Sequence, residues 1–61
     1  MAINVIRLPK VITKTGLSRA TIYALVKAGQ FPKQIKLGSR SVGWVESEID
    51  SWLEQQLDQR G

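Results

Sequence analysis

The sequence contains no cysteine and no histidine, and it has only two prolines. Without cysteine, neither a disulfide nor a thiolate-bound metal can stabilise the fold, and without histidine the most common catalytic base is missing as well. No apolar run approaches the roughly 20 residues that span a bilayer, and no signal-peptide pattern opens the chain. We therefore expect a soluble cytoplasmic protein that is not an enzyme, with no catalytic residues, no cofactor, no metal site and no membrane contact.

The length of 61 residues allows only one domain, which we place at residues 1–61. A domain of this size buries only about 60% of the surface of its unfolded chain. Its stability therefore depends on a few large apolar side chains, and Trp44 and Trp52 are the strongest candidates. Both lie on the apolar side of their own elements, so core packing is expected for them rather than base stacking.

The charged residues are segregated along the chain. The first 45 residues contain eight Lys or Arg side chains and no acid, whereas all five acids follow residue 45 with a single base, Arg60. The two parts therefore carry net charges of +8 and −4, which sum to the net charge of +4. A surface of one sign is typical of a protein that binds a polyanion such as DNA. The alternative is a small protein that is merely basic.

Two short helices are predicted in the first half. Pro9 suits the first turn of a helix over residues 9–15, which Gly16 ends. Ser18 can cap a second helix that runs to Ala28, and Gly29 can close it. Phe31 is expected to cover the end of this helix.

A β-hairpin and a third helix are predicted to follow. Alternating residues indicate strands over 33–37 and 41–45 around Gly38-Ser39-Arg40, while residues 3–6 form a further short strand or a docked arm. The expected buried face of the hairpin consists of Ile35, Leu37, Val42 and Trp44. Ser47 and Asp50 resemble the cap of the last helix, whose apolar stripe is Ile49, Trp52, Leu53 and Leu57.

The resulting order predicts a mostly α protein with a small β-hairpin, a winged helix-turn-helix. A tight turn between two helices requires a residue that tolerates positive φ, and Gly16 meets this requirement. Two alanines on the outer face of the second helix permit close approach to a major groove about 12 Å wide. The predicted contacts of this helix with DNA are Ser18, Arg19, Ala20, Thr21, Tyr23 and Lys27. The alternative is a solvated face with chance polar residues.

The hairpin is predicted to act as a slim basic wing. Its expected DNA contacts, to phosphates or to a minor groove about 6 Å wide, are Lys36, Ser39, Arg40 and Ser41. The alternative is an ordinary turn whose charges prevent edge-to-edge aggregation. Glu54 and Asp58 lie four residues apart on the last helix and are expected to form a solvated face rather than a metal site.

Several motifs together resemble the AlpA family of phage and prophage transcriptional regulators, which is related to excisionases and to MerR-type winged-helix domains. The resemblance covers about residues 6–58. Its motifs are Arg7-Leu8-Pro9-Lys10-Val11, residues 15–23, Gly29-Gln30-Phe31-Pro32-Lys33, residues 36–44 and residues 46–53. Two positions depart from the family pattern, since Gly43 and Ala24 stand where members often carry a basic residue.

The resemblance implies that the second helix enters the major groove while the wing around Ser39 and Arg40 touches the neighbouring backbone or minor groove. It also implies activation of an integrase promoter or assistance in prophage excision. The expected partners are double-stranded DNA, further copies of the chain in cooperative assembly, and an integrase or RNA polymerase. The alternative is a small protein-interaction adaptor that uses its acidic last helix within a larger DNA-bound complex.

Overall fold

Three helices and a small three-stranded antiparallel sheet make up the fold. A computed structural model of the chain describes residues 3–60, so Met1, Ala2 and Gly61 of the predicted domain lie outside the described residues. The elements follow in the order β1 (Val5–Ile6), α1 (Leu8–Thr15), α2 (Arg19–Lys27), β2 (Ile35–Lys36), β3 (Val42–Val45) and α3 (Glu46–Arg60). This order confirms the predicted mostly helical fold with a small β-hairpin, as in a winged helix-turn-helix.

Both predicted helix ends at glycine are confirmed. Gly16 and Gly29 each have a φ of 73°, which an L side chain rarely adopts. The N–H of Gly16 donates to the carbonyl of Ile12 at 2.8 Å. At the end of α2, the N–H of Gly29 donates to Val26 and that of Gln30 donates to Leu25, which is the hydrogen-bond pattern of a Schellman motif. The chain therefore turns sharply after each helix.

The sheet has the order β1-β3-β2, so the strand before α1 is part of the wing sheet. In the antiparallel register, Ile6 lies opposite Trp44 and Val5 lies opposite Val45. The segment predicted as either a strand or a docked arm is thus an edge strand. The β-branched side chains of residues 3–6 favour this extended pairing.

The predicted buried face of the hairpin is wrong for two of its four members. Ile35 lies opposite Gly43, and Lys36 lies opposite Val42. Because directly opposed residues share a face, Ile35 and Leu37 lie on the side of the sheet opposite to Trp44. They are 39% and 46% exposed. The two strands are also shorter than predicted, which leaves Lys33 outside the sheet.

The third helix differs from its prediction at both ends. It begins at Glu46, directly after β3, so Ser47 lies within its first turn and is not its cap. The N–H of Glu46 donates instead to the carbonyl of Asn4 at 2.8 Å. Leu57 is 59% exposed and not part of the core, because α3 extends beyond the elements against which it packs. No helix within residues 3–60 is long and apolar enough to cross a membrane.

The hydrophobic core is centred on Trp44, which is fully buried. Its indole N–H donates to the carbonyl of Pro32 at 3.0 Å. Phe31, which follows the end of α2, is buried with its ring nearly perpendicular to Trp44 and beside Trp52. Its expected role in covering the end of α2 stays a prediction. Within the described residues, the buried hydrophobic side chains that form this core are Ile6, Val11, Ile22, Phe31, Trp44 and Ile49.

An ion-pair cluster joins α1 to the start of α3. The Lys14 ammonium lies 2.9 Å from a Glu46 carboxylate oxygen and 2.8 Å from one of Asp50. Lys10 lies at 4.0 Å from Glu46. Hydrogen bonds to Asp50 and Glu46 raise the pKa of Lys14 above its ordinary value of 10.5. One of the eight bases in the first part of the chain therefore serves the fold.

Gly43 is buried where β1 and β2 meet over β3. A Cβ atom at this position would lie 2.7 Å from Val5 Cγ1, 2.9 Å from the Ile6 carbonyl oxygen and 3.0 Å from Leu37 Cδ1. The first two distances are shorter than real Cβ contacts, and the third is tighter than most of them. The absence of a basic side chain at this position therefore has a structural cause, since β1 and Leu37 occupy the space.

The first prediction concerns this close approach. Gly43→Ala should destabilise the protein by about 1–3 kcal/mol, as overpacking does, because the Ile6 backbone must move away from β3. Denaturant unfolding measures the change. Gly38→Ala is the matched control, since nothing lies within 4 Å of a Cβ atom at Gly38. Equal stabilities of the two variants would contradict the close approach.

The second prediction concerns Lys14. Because its folded-state pKa is raised, its contribution to stability is fully present below pH 10.5 and is lost as pH rises through the folded-state pKa. The stability difference between wild type and Lys14→Met should therefore shrink in this alkaline range. Thermal unfolding at stepped pH measures it. Lys10→Met, which removes a side chain that is 61% exposed, should change stability much less.

Candidate nucleic-acid interface

The second helix presents its polar face to solvent. Ile22 is fully buried and anchors α2 to the core, while Leu25 and Val26 pack beside it. The residues predicted to contact DNA lie on the other side of this helix and are exposed, namely Ser18, Arg19, Ala20, Thr21, Tyr23 and Lys27. The spacing of apolar residues therefore gave the correct orientation of α2.

The start of α2 is held by a pair of hydroxyl groups. Ser18 caps the helix, since its Oγ accepts a hydrogen bond from the N–H of Thr21 at 3.2 Å. The same hydroxyl donates to Thr21 Oγ1 at 2.9 Å. No acid lies in the first turn, and the positive end of a helix dipole favours an anion such as phosphate. The exposed end of α2 is thus suited to a phosphate contact.

Arg19 and Tyr23 form one unit on the exposed face. The guanidinium carbon of Arg19 lies 5.9 Å from the centroid of the Tyr23 ring, within the range of a cation–π contact. Both residues were predicted as DNA contacts, but their pairing was not, although their spacing of i and i+4 could have indicated it. The contact restricts the Arg19 side chain, which is exposed and forms no ion pair within the described residues.

The wing residues occupy the exposed end of the hairpin. Lys36 is the last residue of β2, and Ser39 and Arg40 lie in the exposed loop that follows. The N–H of Leu37 donates to the carbonyl of Ser41 at 2.8 Å, which closes this loop. Ser41 is half-buried and is less accessible than the other three. The structure therefore exposes two bases near the end of the wing.

The wing and α2 are linked through the core. Within residues 3–60, no side-chain hydrogen bond or ion pair joins the wing residues to α2. The connecting segment is instead fixed by two indoles, because the Trp44 N–H donates to Pro32 and the Trp52 N–H donates to Gln30 at 2.8 Å. This segment sets the position of the wing relative to the exposed face of α2.

The positive charge of the surface comes from fewer residues than the sequence indicates. Lys14 is engaged with Glu46 and Asp50, which lie 32 and more residues away, so only the tertiary structure reveals this pairing. The bases that form no ion pair within the described residues, Arg60 apart, are Arg7, Arg19, Lys27, Lys33, Lys36 and Arg40. These six bases are exposed and remain available to a polyanion.

The third prediction concerns the cap of α2. Ser18→Ala should cost about 1 kcal/mol of unfolding free energy, because the Thr21 N–H loses its acceptor. Ser47→Ala, the matched control, should be close to neutral since Ser47 lies inside the first turn of α3. Chemical denaturation compares the two. A larger loss for Ser47→Ala would contradict the assignment of the caps.

Comparison with known proteins agrees with these features. The family described as "Prophage CP4-57 regulatory protein (AlpA)" matches residues 4–57. The "DNA-binding transcriptional activator AlpA" of Escherichia coli (strain K12) is 50% identical over 60 residues, which cover 88% of this chain and 86% of that protein. "Uncharacterized protein ORF88" of Enterobacteria phage P4 is 46% identical over 48 residues, which cover 79% of this chain and 54% of that protein. The chain therefore belongs to the AlpA family of prophage regulatory proteins.

Proposed function

We propose that this chain is a sequence-specific DNA-binding transcriptional regulator of phage type, not an enzyme. In this proposal α2 lies in the major groove and the wing contacts the adjacent phosphates or minor groove. The observation that carries it is the exposed face of α2, where the Arg19–Tyr23 pair stands beside the small side chains of Ala20 and Ala24. Small residues allow the helix axis to approach the base edges, which Arg19 can then reach.

Each named residue has a role in this proposal. Arg19 donates two hydrogen bonds to O6 and N7 of a guanine, the most common specific contact in the major groove. Thr21 and Tyr23 donate their hydroxyl groups to phosphates, and Lys27 adds charge. Ser18 donates its hydroxyl to Thr21 Oγ1, so it contributes to this contact by holding the Thr21 hydroxyl in place. On the wing, Lys36, Ser39, Arg40 and Ser41 contact the backbone, with Arg40 leading into the minor groove.

The biological task follows the family resemblance. Bound to DNA in the cytoplasm of a bacterial or phage-infected cell, the chain activates an integrase promoter or assists excision, in contact with RNA polymerase or an integrase. A DNA-bending assay on promoter and attachment-site fragments separates these two tasks. Strong bending at the attachment site supports excision, and binding without bending at the promoter supports activation.

The fourth prediction tests DNA binding itself. A pool of random-sequence duplexes is first enriched on the wild-type protein, and the selected duplex is then titrated. With about 4–6 phosphates neutralised, the logarithm of affinity should fall with the logarithm of salt concentration at a slope near −4 to −5.

Two variants separate base contacts from phosphate contacts. Arg19→Ala should lose about 1–3 kcal/mol of binding free energy on the selected duplex and little on a scrambled one. Arg40→Ala should weaken both and reduce the slope by about 1.

The control addresses the alternative of a protein-interaction adaptor. The double variant Glu54→Gln, Asp58→Asn changes only exposed acids of α3 and should leave the binding of a single copy to DNA intact. Failure to enrich any duplex, or a flat response to salt, would contradict the DNA-binding proposal. A protein-interaction adaptor would instead lose binding to its protein partner in the double variant and would retain that binding in Arg19→Ala.

A further inference from the structure

The outer face of the sheet is an exposed apolar patch. Val5, Ile35 and Leu37 are 37%, 39% and 46% exposed, and the register places them on the side opposite to Trp44. Val5 and Leu37 approach each other over Gly43, which has no side chain, and Ile35 lies opposite Gly43 in the register, so the patch crosses the sheet. We call these three residues with Gly43 the outer sheet patch. It faces away from the core, and neither the core nor the proposed DNA contacts use it.

The end of α3 is a second apolar surface without a partner within the described residues. Leu53 is the last residue of α3 that packs against the core, and Leu57, one turn later, is 59% exposed. Glu54 and Asp58 lie on either side of Leu57 in sequence and are also exposed. We call Glu54, Leu57 and Asp58 the acidic helix end.

The two surfaces are complementary in charge. Residues 3–45 contain no acid, so no acidic side chain from this part of the chain borders the outer sheet patch. The exposed Arg40 lies in the loop that follows Leu37, whereas Lys36, opposite Val42, lies on the Trp44 side of the sheet. Pairing two sheet patches would oppose bases to bases, and pairing two helix ends would oppose acids to acids. Only the contact between one patch and one helix end brings apolar side chains together with opposite charges around them.

The contact must form between two molecules. α3 begins directly after β3 and is continuous to Arg60. Over the 11 residues from Glu46 to Leu57, a helix rises about 16 Å. Leu57 therefore lies far from β3 at the other end of α3. Because the helix is rigid, Leu57 cannot contact the outer sheet patch of its own molecule.

We propose that the outer sheet patch binds the acidic helix end of a second copy of this chain. This contact is head to tail, so each copy keeps one free patch or one free helix end and a further copy can join. The surfaces are small, which places the contact among weak, transient interfaces. If the proposed DNA binding holds, the contact adds copies beside one that is already bound, but the contact itself requires no DNA.

The fifth prediction tests the contact by complementation without DNA. Leu57→Asp replaces the apolar side chain of the acidic helix end with a charge, and Ile35→Asp does the same in the outer sheet patch. Both residues are exposed, and circular dichroism confirms that each variant is folded. Sedimentation equilibrium of wild type at roughly 0.1–2 mM should show association that weakens as salt rises. Each variant alone should remain monomeric, whereas their mixture should form a 1:1 dimer, because it restores one intact patch and one intact helix end.

A matched pair of charge variants tests the acids. Glu54→Lys should reduce association, whereas Glu48→Lys, which makes the same charge change on another side of α3, should reduce it much less. Leu37→Asp serves as a second patch variant and should also dimerise with Leu57→Asp. Wild type that stays monomeric over the whole range, or a mixture that stays monomeric, would overturn the proposal. Self-association of either Asp variant alone would overturn it too, since it would reveal a different interface.

Discussion

The hydrogen bond from the buried Trp44 indole to the Pro32 carbonyl is the contact on which the arrangement of this chain depends. Trp44 lies in the central strand, is fully buried and contacts Phe31 at the edge of its ring. The neighbouring carbonyl of Gln30 accepts from Trp52 of α3. Two indoles from different elements therefore hold one short segment that follows α2. This segment fixes the end of α2 relative to the sheet and to α3.

The same contacts explain how a chain without disulfides or metal-binding thiolates positions a functional surface. Aromatic side chains form a large part of the core of this short chain, and each indole N–H has a backbone acceptor, so the fully buried Trp44 leaves no unpaired donor in the interior. Lys14 adds an electrostatic link between α1 and α3. Arg19, Lys27, Lys36 and Arg40, which form no ion pair within the described residues, are the exposed bases assigned to DNA in the proposed function.

Gly43 shows how packing and electrostatics compete at a single position. A basic side chain there would add charge to the wing, but its Cβ atom would collide with Val5 and the Ile6 backbone. Glycine instead allows β1 to pair closely with β3 and lets Leu37 lie over the strand. The outer face of the sheet is consequently apolar and exposed at Val5, Ile35 and Leu37, while the other face packs in the core through Ile6 and Trp44.

The sequence by itself determined the local elements and the face of α2. Gly16, Gly29 and Ser18 act through their own backbone or a neighbour three residues away, so their roles can be read from short patterns. The helical period likewise placed Ile22 on the buried face of α2 and Tyr23 on its exposed face. The positions of the exposed DNA-contact candidates in the fold followed from these local rules, whereas their contacts with DNA stay a prediction.

Only the tertiary structure decided which side of the hairpin is buried and where α3 leaves the core. Alternation in a strand predicts two faces but does not say which face is covered, and the pairing of Ile35 with Gly43 settled that question. The exposure of Leu57 depends on how far the other elements extend along α3, and the pairing of Lys14 joins residues more than 30 positions apart. No local pattern contains such distances, because they arise from how the helices and the sheet pack together.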